Sequence, residues 1–176
     1  MSMKNLLEQL KLTLLILRLK LQVLLLKKKL TIPNLPKPKH IVVHYDSGGW
    51  GFGRVNEYHR QKWGFKSSLG FFCGYHYYIE SDGRIYQARA DNEEGAHCTQ
   101  SGRPGYWNKN SVGVCLQNKV GQSITNEQIK SLDWLLERLR GKYSIVKTEI
   151  YGHYHIKSTA CPGTSIKKFL KEYKIS

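Results

Sequence analysis

The chain has 176 residues and carries 28 Lys and Arg residues against 13 Asp and Glu residues, a formal net charge of +15 at pH 7. This length accommodates one domain with a hydrophobic core and an appendage. The 11 Tyr, 4 Trp and 5 Phe residues exclude a disordered chain. The charge favours a polyanionic partner, such as nucleic acid, anionic lipid or a wall polymer, without choosing among them.

Residues 1–30 form a Leu-rich segment that predicts a basic, amphipathic helical extension. Residues 1–40 hold nine Lys or Arg residues and a single acidic residue, Glu8. Two apolar seams follow steps of three and four residues and lie on roughly opposite sides of a helix. One seam is Leu7, Leu10, Leu14, Leu17, Leu21 and Leu24, and the other is Leu12, Ile16, Leu19, Val23, Leu26 and Leu30. Two interpretations follow: self-association through partner helices, or contact of residues 1–30 with an anionic membrane or outer-membrane surface.

The same segment matches neither a membrane-spanning helix nor a cleavable signal peptide. Its charge-free runs reach about six residues, whereas a bilayer requires about 20. Arg18 and Lys20 interrupt the apolar stretch, and no small-residue cleavage site follows. Residues 31–39 contain three prolines and predict an extended linker. We therefore place the folded domain at residues 40–176.

Apolar runs from residue 40 onward predict the strands of a sheet. The predicted strands are IVVHY (41–45), which ends with His44 and Tyr45, GYHYYIE (74–80), IYQAR (85–89), SVGVCLQN (111–118) and EIYGHYH (149–155). Asp82 and Gly83 predict the turn of a hairpin between the second and third of these strands. Cys73 and Cys115 lie in apolar runs, where a thiol usually behaves as a small buried hydrophobe.

Two helices are predicted clearly in the second half of the domain, and a further helix fits residues 54–65. Thr125 and Gln128 have the spacing of a capping box, and Gly141 is the predicted end of that helix. The apolar positions between residues 166 and 173 predict a closing amphipathic helix. Strands interleaved with helices predict a single α/β domain with a central mixed β-sheet flanked by helices, preceded by the N-terminal amphipathic helix.

His44, His153 and Cys161 are the candidate metal ligands. Two imidazoles and one thiolate suit Zn²⁺, and three protein ligands leave a fourth position open, as in catalytic sites. Spacing alone does not distinguish this set from hydrogen-bonded core histidines and a buried thiol.

An ordered series of motifs across about 120 residues carries more information than these spacings. The series is IVVHYDSG, HRQKWGF, GYHYYIESDGRIYQAR, GAHC, NKNSVGVCLQN and GHYHIKSTACPG. It resembles the zinc-dependent N-acetylmuramoyl-L-alanine amidase family, which includes phage lysozymes of the amidase type and animal peptidoglycan recognition proteins. The resemblance covers roughly residues 40–173, essentially the whole domain.

This resemblance implies that His44, His153 and Cys161 bind Zn²⁺ and that Tyr75 lies beside the metal, where it could orient or deprotonate the attacking water. Thr159 falls where the family carries Lys or Thr and would stabilise the oxyanion. The implied substrate is bacterial peptidoglycan, cleaved between N-acetylmuramic acid and the L-alanine of the stem peptide. The sequence departs from one branch of the family by having a cysteine, residue 115, where that branch has Glu, so we expect catalysis to depend on Tyr75.

Further residues are assigned to the substrate groove or its surroundings. The resemblance places His97, in GAHC, along the groove, and Trp50, Asn108 and Asn110 are additional groove candidates. His76 follows Tyr75 in a predicted strand and therefore points to the opposite face, which favours a core role. His155 is a candidate to orient His153.

Two other functions remain open: a non-catalytic peptidoglycan-binding module and a membrane-active basic protein defined by residues 1–30. No nucleic-acid motif accompanies the charge, so we expect no nucleic-acid partner. The four cysteines form no CxxC pair, which favours a reducing compartment. We expect an endolysin-like protein, made in the host bacterial cytoplasm without a cleavable signal peptide and acting on the wall after release; a bacterial wall enzyme is the alternative source.

Overall fold

The computed structural model describes residues 9, 11–22 and 37–175 of the chain. Contacts divide the chain into two units, Met1–Leu35 and Pro36–Ser176. The predicted helical register at residues 1–8 and 23–30, and most of the predicted linker, lie outside the described residues.

Residues 11–22 form a helix, α1, whose side chains are all exposed. Its exposed apolar residues include members of both predicted seams: Leu14, Leu17 and Leu21 from one, and Leu12, Ile16 and Leu19 from the other. Among the described residues, no helix has the length and apolar character needed to cross a bilayer. The helix that the sequence predicts for residues 1–30 is present over residues 11–22.

The second unit is built on a mixed five-stranded sheet with the order β3-β2-β4-β1-β5. The strands are β1 (His40–Ser47), β2 (Tyr77–Ile79), β3 (Ile85–Gln87), β4 (Ser111–Lys119) and β5 (Ile150–Gly152). β4 pairs in parallel with β1 and β2, β1 pairs in parallel with β5, and β2 and β3 form the antiparallel hairpin. Residues 41–43 and 114–116 have no exposed surface, as expected for central strands covered on both faces.

Helices cover this sheet and close its core. They are α2 (Phe52–Lys62), α3 (Tyr106–Asn110), α4 (Asn126–Tyr143) and α5 (Thr164–Ile175). Leucines of α4 pack with Ile166 and Leu170 of α5 and with β1 and β4 in the largest apolar cluster. The capping box of Thr125 and Gln128 is present, as predicted.

The predicted end of α4 at Gly141 is two residues too early. The helix continues to Tyr143 and ends at Ser144, whose φ of 57° is left-handed. Arg140 O accepts the backbone N–H of both Ser144 and Ile145, so the closing hydrogen bonds form beyond the glycine.

Three predicted strands, those that became β2, β3 and β5, are shorter than expected, and the differences in β2 and β5 lie beside the site. β2 begins at Tyr77; before it, His76 N still donates to Gly113 O of β4 (2.8 Å), whereas Gly74 N donates to the His59 ring (2.9 Å). β5 ends at Gly152, whose N–H donates to His155 Nδ1 (3.1 Å), and a 3₁₀ turn, His153–His155, follows. Tyr75 therefore lies in a bend just before β2, and His153 begins the 3₁₀ turn just after β5.

Candidate metal centre

The parallel strands bring the three predicted ligands together at one edge of the sheet. His44 lies in β1, opposite Cys115 of β4, and is 1% exposed. Val43 is paired with Gly152 of β5, so His153 follows directly beside His44. This edge holds the carboxyl ends of parallel strands, where α/β proteins usually place their ligands.

A direct backbone contact places Cys161 against the turn that carries His153. Tyr154 N donates to Cys161 O at 3.0 Å. A Cβ on Gly152 would lie 2.7 Å from the Tyr154 ring and 3.1 Å from Pro162, so only glycine permits this close approach. The glycine of the GHYH motif therefore has a steric role that the sequence analysis did not assign.

The ligand atoms of His44, His153 and Cys161 all lie within 4.8 Å of one another. Cys161 Sγ is 3.7 Å from His44 Nδ1, and the two imidazole centroids are 4.6 Å apart. Zinc bond lengths of about 2.0 Å to nitrogen and 2.3 Å to sulfur give tetrahedral ligand separations of about 3.3–3.6 Å. His153 Nε2 is also buried without a hydrogen-bond partner among the described residues. The donor set therefore fits Zn²⁺ with one coordination position left open.

Both imidazoles are held in the neutral form that binds metals. Burial lowers the pKa of His44 well below its usual range, and the neighbouring His97 and His153 lower it further. Burial also lowers the pKa of His153, and the charge of Lys157 acts in the same direction. Each ring consequently has a nitrogen lone pair at neutral pH.

Burial keeps the Cys161 thiol protonated, and the protonated thiol is not the form that binds metals. Burial raises its pKa to about 11, although a backbone hydrogen bond from Tyr45 and the charge of Lys167 oppose that effect. A cation beside Sγ favours the thiolate, so we expect metal binding to release the thiol proton.

Tyr75 packs against His44, one of the three candidate ligands. Its ring centroid is 5.2 Å from that of His44, and the thiols of Cys115, Cys161 and Cys73 lie in its surroundings. Burial, followed by the nearby thiols, raises the pKa of Tyr75 well above its usual value. The neutral phenol can therefore donate a hydrogen bond but is poorly suited to remove a proton, which favours the orienting role over the basic one.

Thr159 lies in the loop that carries Cys161. Its Oγ1 accepts the backbone N–H of Cys161 at 3.2 Å. The hydroxyl hydrogen remains available to a second acceptor, because a hydroxyl can donate one hydrogen bond while accepting others. The hydroxyl therefore supports the ligand loop and keeps a hydrogen that it can donate.

His97 lies closer to the ligands than a groove position requires. Its Nδ1 is 3.0 Å from Nε2 of His44. Asn108 Oδ1 accepts the backbone N–H groups of both His97 and Cys98, at 3.0 and 2.9 Å. A Cβ at Gly113 of β4 would lie 2.5 Å from the His97 ring, so the imidazole occupies the space above a glycine. Asn108, predicted to line the groove, instead holds the backbone at His97, and the clearance above Gly113 has no signal in the sequence.

The other two groove candidates lie in different places: Trp50 packs near Tyr75, and Asn110 lies far from the ligands. Trp50 follows β1, with the Arg54 guanidinium 4.4 Å above its indole ring, and packs against the same apolar cluster as Tyr75. Asn110 ends α3, and its side chain donates to Tyr106 O at 2.8 Å. It immediately precedes the residue paired with His40, which places it roughly 16 Å along the strand from His44. The structure does not bring Asn110 to the ligands.

His76 and His155 have structural hydrogen bonds. His76 has no exposed surface; its Nδ1 accepts Gly113 N at 3.0 Å and its Nε2 lies 2.8 Å from Glu93 O, in agreement with the predicted core role. His155 is exposed, and its Nδ1 contacts the backbone of Gly152.

Comparisons with known proteins agree on one family. The model of the N-acetylmuramoyl-L-alanine amidase family matches residues 34–164, a stretch that includes the three candidate ligands. The chain is 30% identical over 138 residues to peptidoglycan-recognition protein SC2 of Drosophila melanogaster, covering 72% of this chain and 69% of that protein. It is 32% identical over 104 residues to an endolysin of Enterobacteria phage K11, covering 56% and 64%, respectively. The solved N-acetylmuramoyl-L-alanine amidase LysC from Clostridium intestinale URNW superposes with a TM-score of 0.63 at 28% identity, covering 77% of this chain and 85% of LysC.

Proposed function

Because the chain belongs to the N-acetylmuramoyl-L-alanine amidase family, we propose that it is a zinc-dependent, endolysin-like hydrolase of bacterial peptidoglycan. The bond cleaved is the amide between N-acetylmuramic acid and the L-alanine of the stem peptide. One observation carries the proposal: the ligand atoms of His44, His153 and Cys161 converge within 4.8 Å. A surface that only binds peptidoglycan requires no such cluster of donors.

Amide hydrolysis requires an activated water, a polarised carbonyl and a proton for the departing nitrogen. When bound, Zn²⁺ supplies Lewis-acid polarisation and lowers the pKa of water to about 7. The two imidazoles and the thiolate would hold the ion at the carboxyl ends of β1 and β5 and leave one side of it open to substrate.

Tyr75 would act as a hydrogen-bonding group for the reacting atoms. Burial raises the pKa of Tyr75 well above its usual value, so the phenol stays protonated and can donate a hydrogen bond to an acceptor on the substrate or the attacking water. Its packing against His44 fixes the ring in a position beside the ligands. We therefore assign Tyr75 to orienting water and substrate.

Thr159 would donate its free hydroxyl hydrogen to the oxygen that becomes negatively charged in the tetrahedral intermediate. Such donors contribute about 3 kcal/mol in other hydrolases. The hydrogen bond from Cys161 N restricts the position of Oγ1, so the donor is oriented before substrate binds.

The direct experiment incubates the protein with purified sacculi and measures new N-terminal L-alanine on the released stem peptides. We expect release that stops on addition of a chelator and returns with Zn²⁺. Release of reducing sugar ends instead of peptides would contradict the amidase assignment, as would release that is insensitive to the chelator.

Non-catalytic recognition of peptidoglycan is the second candidate, and the similarity to peptidoglycan-recognition protein SC2 favours it over other binding functions. Sedimentation with sacculi distinguishes the two. Binding without peptide release in fully zinc-loaded protein would establish recognition, whereas peptide release at catalytic protein concentrations would exclude a purely non-catalytic role.

Helix α1 supports an additional role in surface contact. Its exposed leucines on two sides, together with Arg18 and Lys20, suit either partner helices or an anionic membrane surface, and we propose that residues 1–30 provide such a contact. We also propose that the protein is made in the bacterial cytoplasm and reaches the wall after release.

A further inference from the structure

His44 uses both of its ring nitrogens within the described site. Nδ1 faces Cys161 Sγ at 3.7 Å, and Nε2 faces His97 Nδ1 at 3.0 Å. A neutral imidazole has one N–H donor and one lone pair, so the two nitrogens cannot have the same role. The nitrogen beside the thiol is on the ligand side, and the other is directed toward His97.

From this geometry we propose that His97 is a positioning residue that fixes the tautomer and orientation of His44 for metal binding, an inference that rests on the proposed zinc site. With Nδ1 of His44 toward the metal, Nε2 carries the proton and donates it in a hydrogen bond to His97 Nδ1. Histidines that bind metals usually donate their second N–H to a carboxylate, a backbone carbonyl or water. Here the acceptor is a second neutral imidazole, which leaves the charge of the site unchanged.

The surroundings hold the His97 ring in this position. Asn108 Oδ1 accepts two consecutive backbone N–H groups, beginning with that of His97. The ring lies above Gly113 and beside Gly95, and a Cβ on either glycine would approach it within 2.5 Å. The two hydrogen bonds to Asn108 and the lack of side chains at Gly113 and Gly95 therefore hold the His97 ring opposite His44.

The same contacts argue against direct substrate binding by the His97 ring in this arrangement. Nδ1 is used by His44, and Nε2 is buried without a hydrogen-bond partner among the described residues. Neither ring nitrogen is therefore exposed to a ligand in the groove. The inferred role differs from the groove position that the sequence predicts.

The test uses a pair of variants with similar shapes. His97→Leu removes the acceptor, whereas His97→Asn keeps a side-chain oxygen near the position of Nδ1. Zn²⁺ affinity of the metal-free full chain is measured by competition with a chromophoric chelator, and Co²⁺ spectra report the thiolate and ligand geometry. We expect His97→Leu to bind Zn²⁺ about 10- to 100-fold more weakly and His97→Asn to stay within about threefold of wild type.

Three results would overturn the inference. The first is wild-type Zn²⁺ affinity in His97→Leu. The second is equal weakening in both variants with equal loss of metal-free stability, which would indicate packing. The third is a raised KM for peptidoglycan with unchanged metal affinity, which would place His97 in the groove. Because the metal readout needs no hydrolysis, loss of affinity in His97→Leu without amidase activity in wild type would support this inference and contradict only the proposed function.

Discussion

Cys161 Sγ lies 3.7 Å from His44 Nδ1, although 117 positions separate the two residues in the chain. Strand β1 supplies one atom, and the loop before α5 supplies the other. Both side chains are buried, at 9% and 1% exposed. A thiol and an imidazole that face each other inside a protein can bind the same metal ion. We therefore expect zinc binding to depend strongly on the Cys161 thiol.

Replacement of Cys161 by Ser should remove most of the metal affinity, because a hydroxyl is a poor zinc ligand compared with a thiolate. Thermal unfolding provides the measurement. Zinc at about 100 times its Kd should stabilise the wild-type chain by about 2.7 kcal/mol. We expect no zinc-dependent shift in Cys161→Ser. Cys73→Ser is the matched control, since Cys73 is also buried but lies in a separate apolar cluster. Equal zinc shifts in the Cys161→Ser and wild-type proteins would contradict the ligand assignment.

Replacement of Tyr75 by Phe should lower kcat by about 100-fold, at the lower end of the loss expected when one positioned hydrogen-bond donor to the reacting atoms is removed. The ring contact with His44 is retained, so Zn²⁺ affinity should stay at the wild-type value. Peptide release from sacculi and metal titration measure the two quantities separately. Unchanged kcat would show that the hydroxyl takes no part in the reaction.

Replacement of Thr159 by Val should lower kcat by about 100- to 1,000-fold through loss of a donor to the oxyanion. Thr159→Ser keeps the hydroxyl and should restore most of the rate. If the Val variant instead loses zinc at unchanged kcat per bound ion, the function of Thr159 is to hold the Cys161 loop through the Cys161 N–H.

The parts of the structure that sequence reasoning predicts are those with local physical causes. The apolar runs of β1 and β4 and the capping box of Thr125 and Gln128 depend on neighbours in the chain. The ligand set required the family resemblance, because spacing does not show that β5 lies beside β1. The contact between His44 and His97 depends on Gly113 and Asn108, which lie in separate segments of the chain. No local sequence pattern predicts such a contact.

Deletion of residues 1–38 tests the proposed surface contact of α1. If partner helices cover its exposed leucines, the oligomeric mass measured by light scattering should fall to that of the monomer. If a membrane covers them, binding to vesicles containing anionic lipid should be lost, and more so at low salt. Zinc affinity should be unchanged in the truncated chain and serves as the control for folding. Unchanged mass together with unchanged vesicle binding would exclude both roles.

His59 should make the folded state sensitive to mild acid. It is 6% exposed, and its Nδ1 accepts Gly74 N at 2.9 Å. Burial, together with the charges of Arg89 and Lys62, lowers its pKa to about 4, below the unfolded value near 6.5. The unfolded chain therefore binds the proton first, so the contribution of His59 is complete above pH 6.5 and is lost as the pH falls toward 4.

Urea unfolding at pH 7 and pH 4.5 measures this effect, with chelator present so that the metal ligands contribute equally to each variant. His59→Asn retains an acceptor for Gly74 N but does not titrate. The loss of stability between the two pH values should therefore be smaller in the variant by about 2.5 kcal/mol. Equal losses in the two proteins would mean that His59 is not held neutral in the folded state.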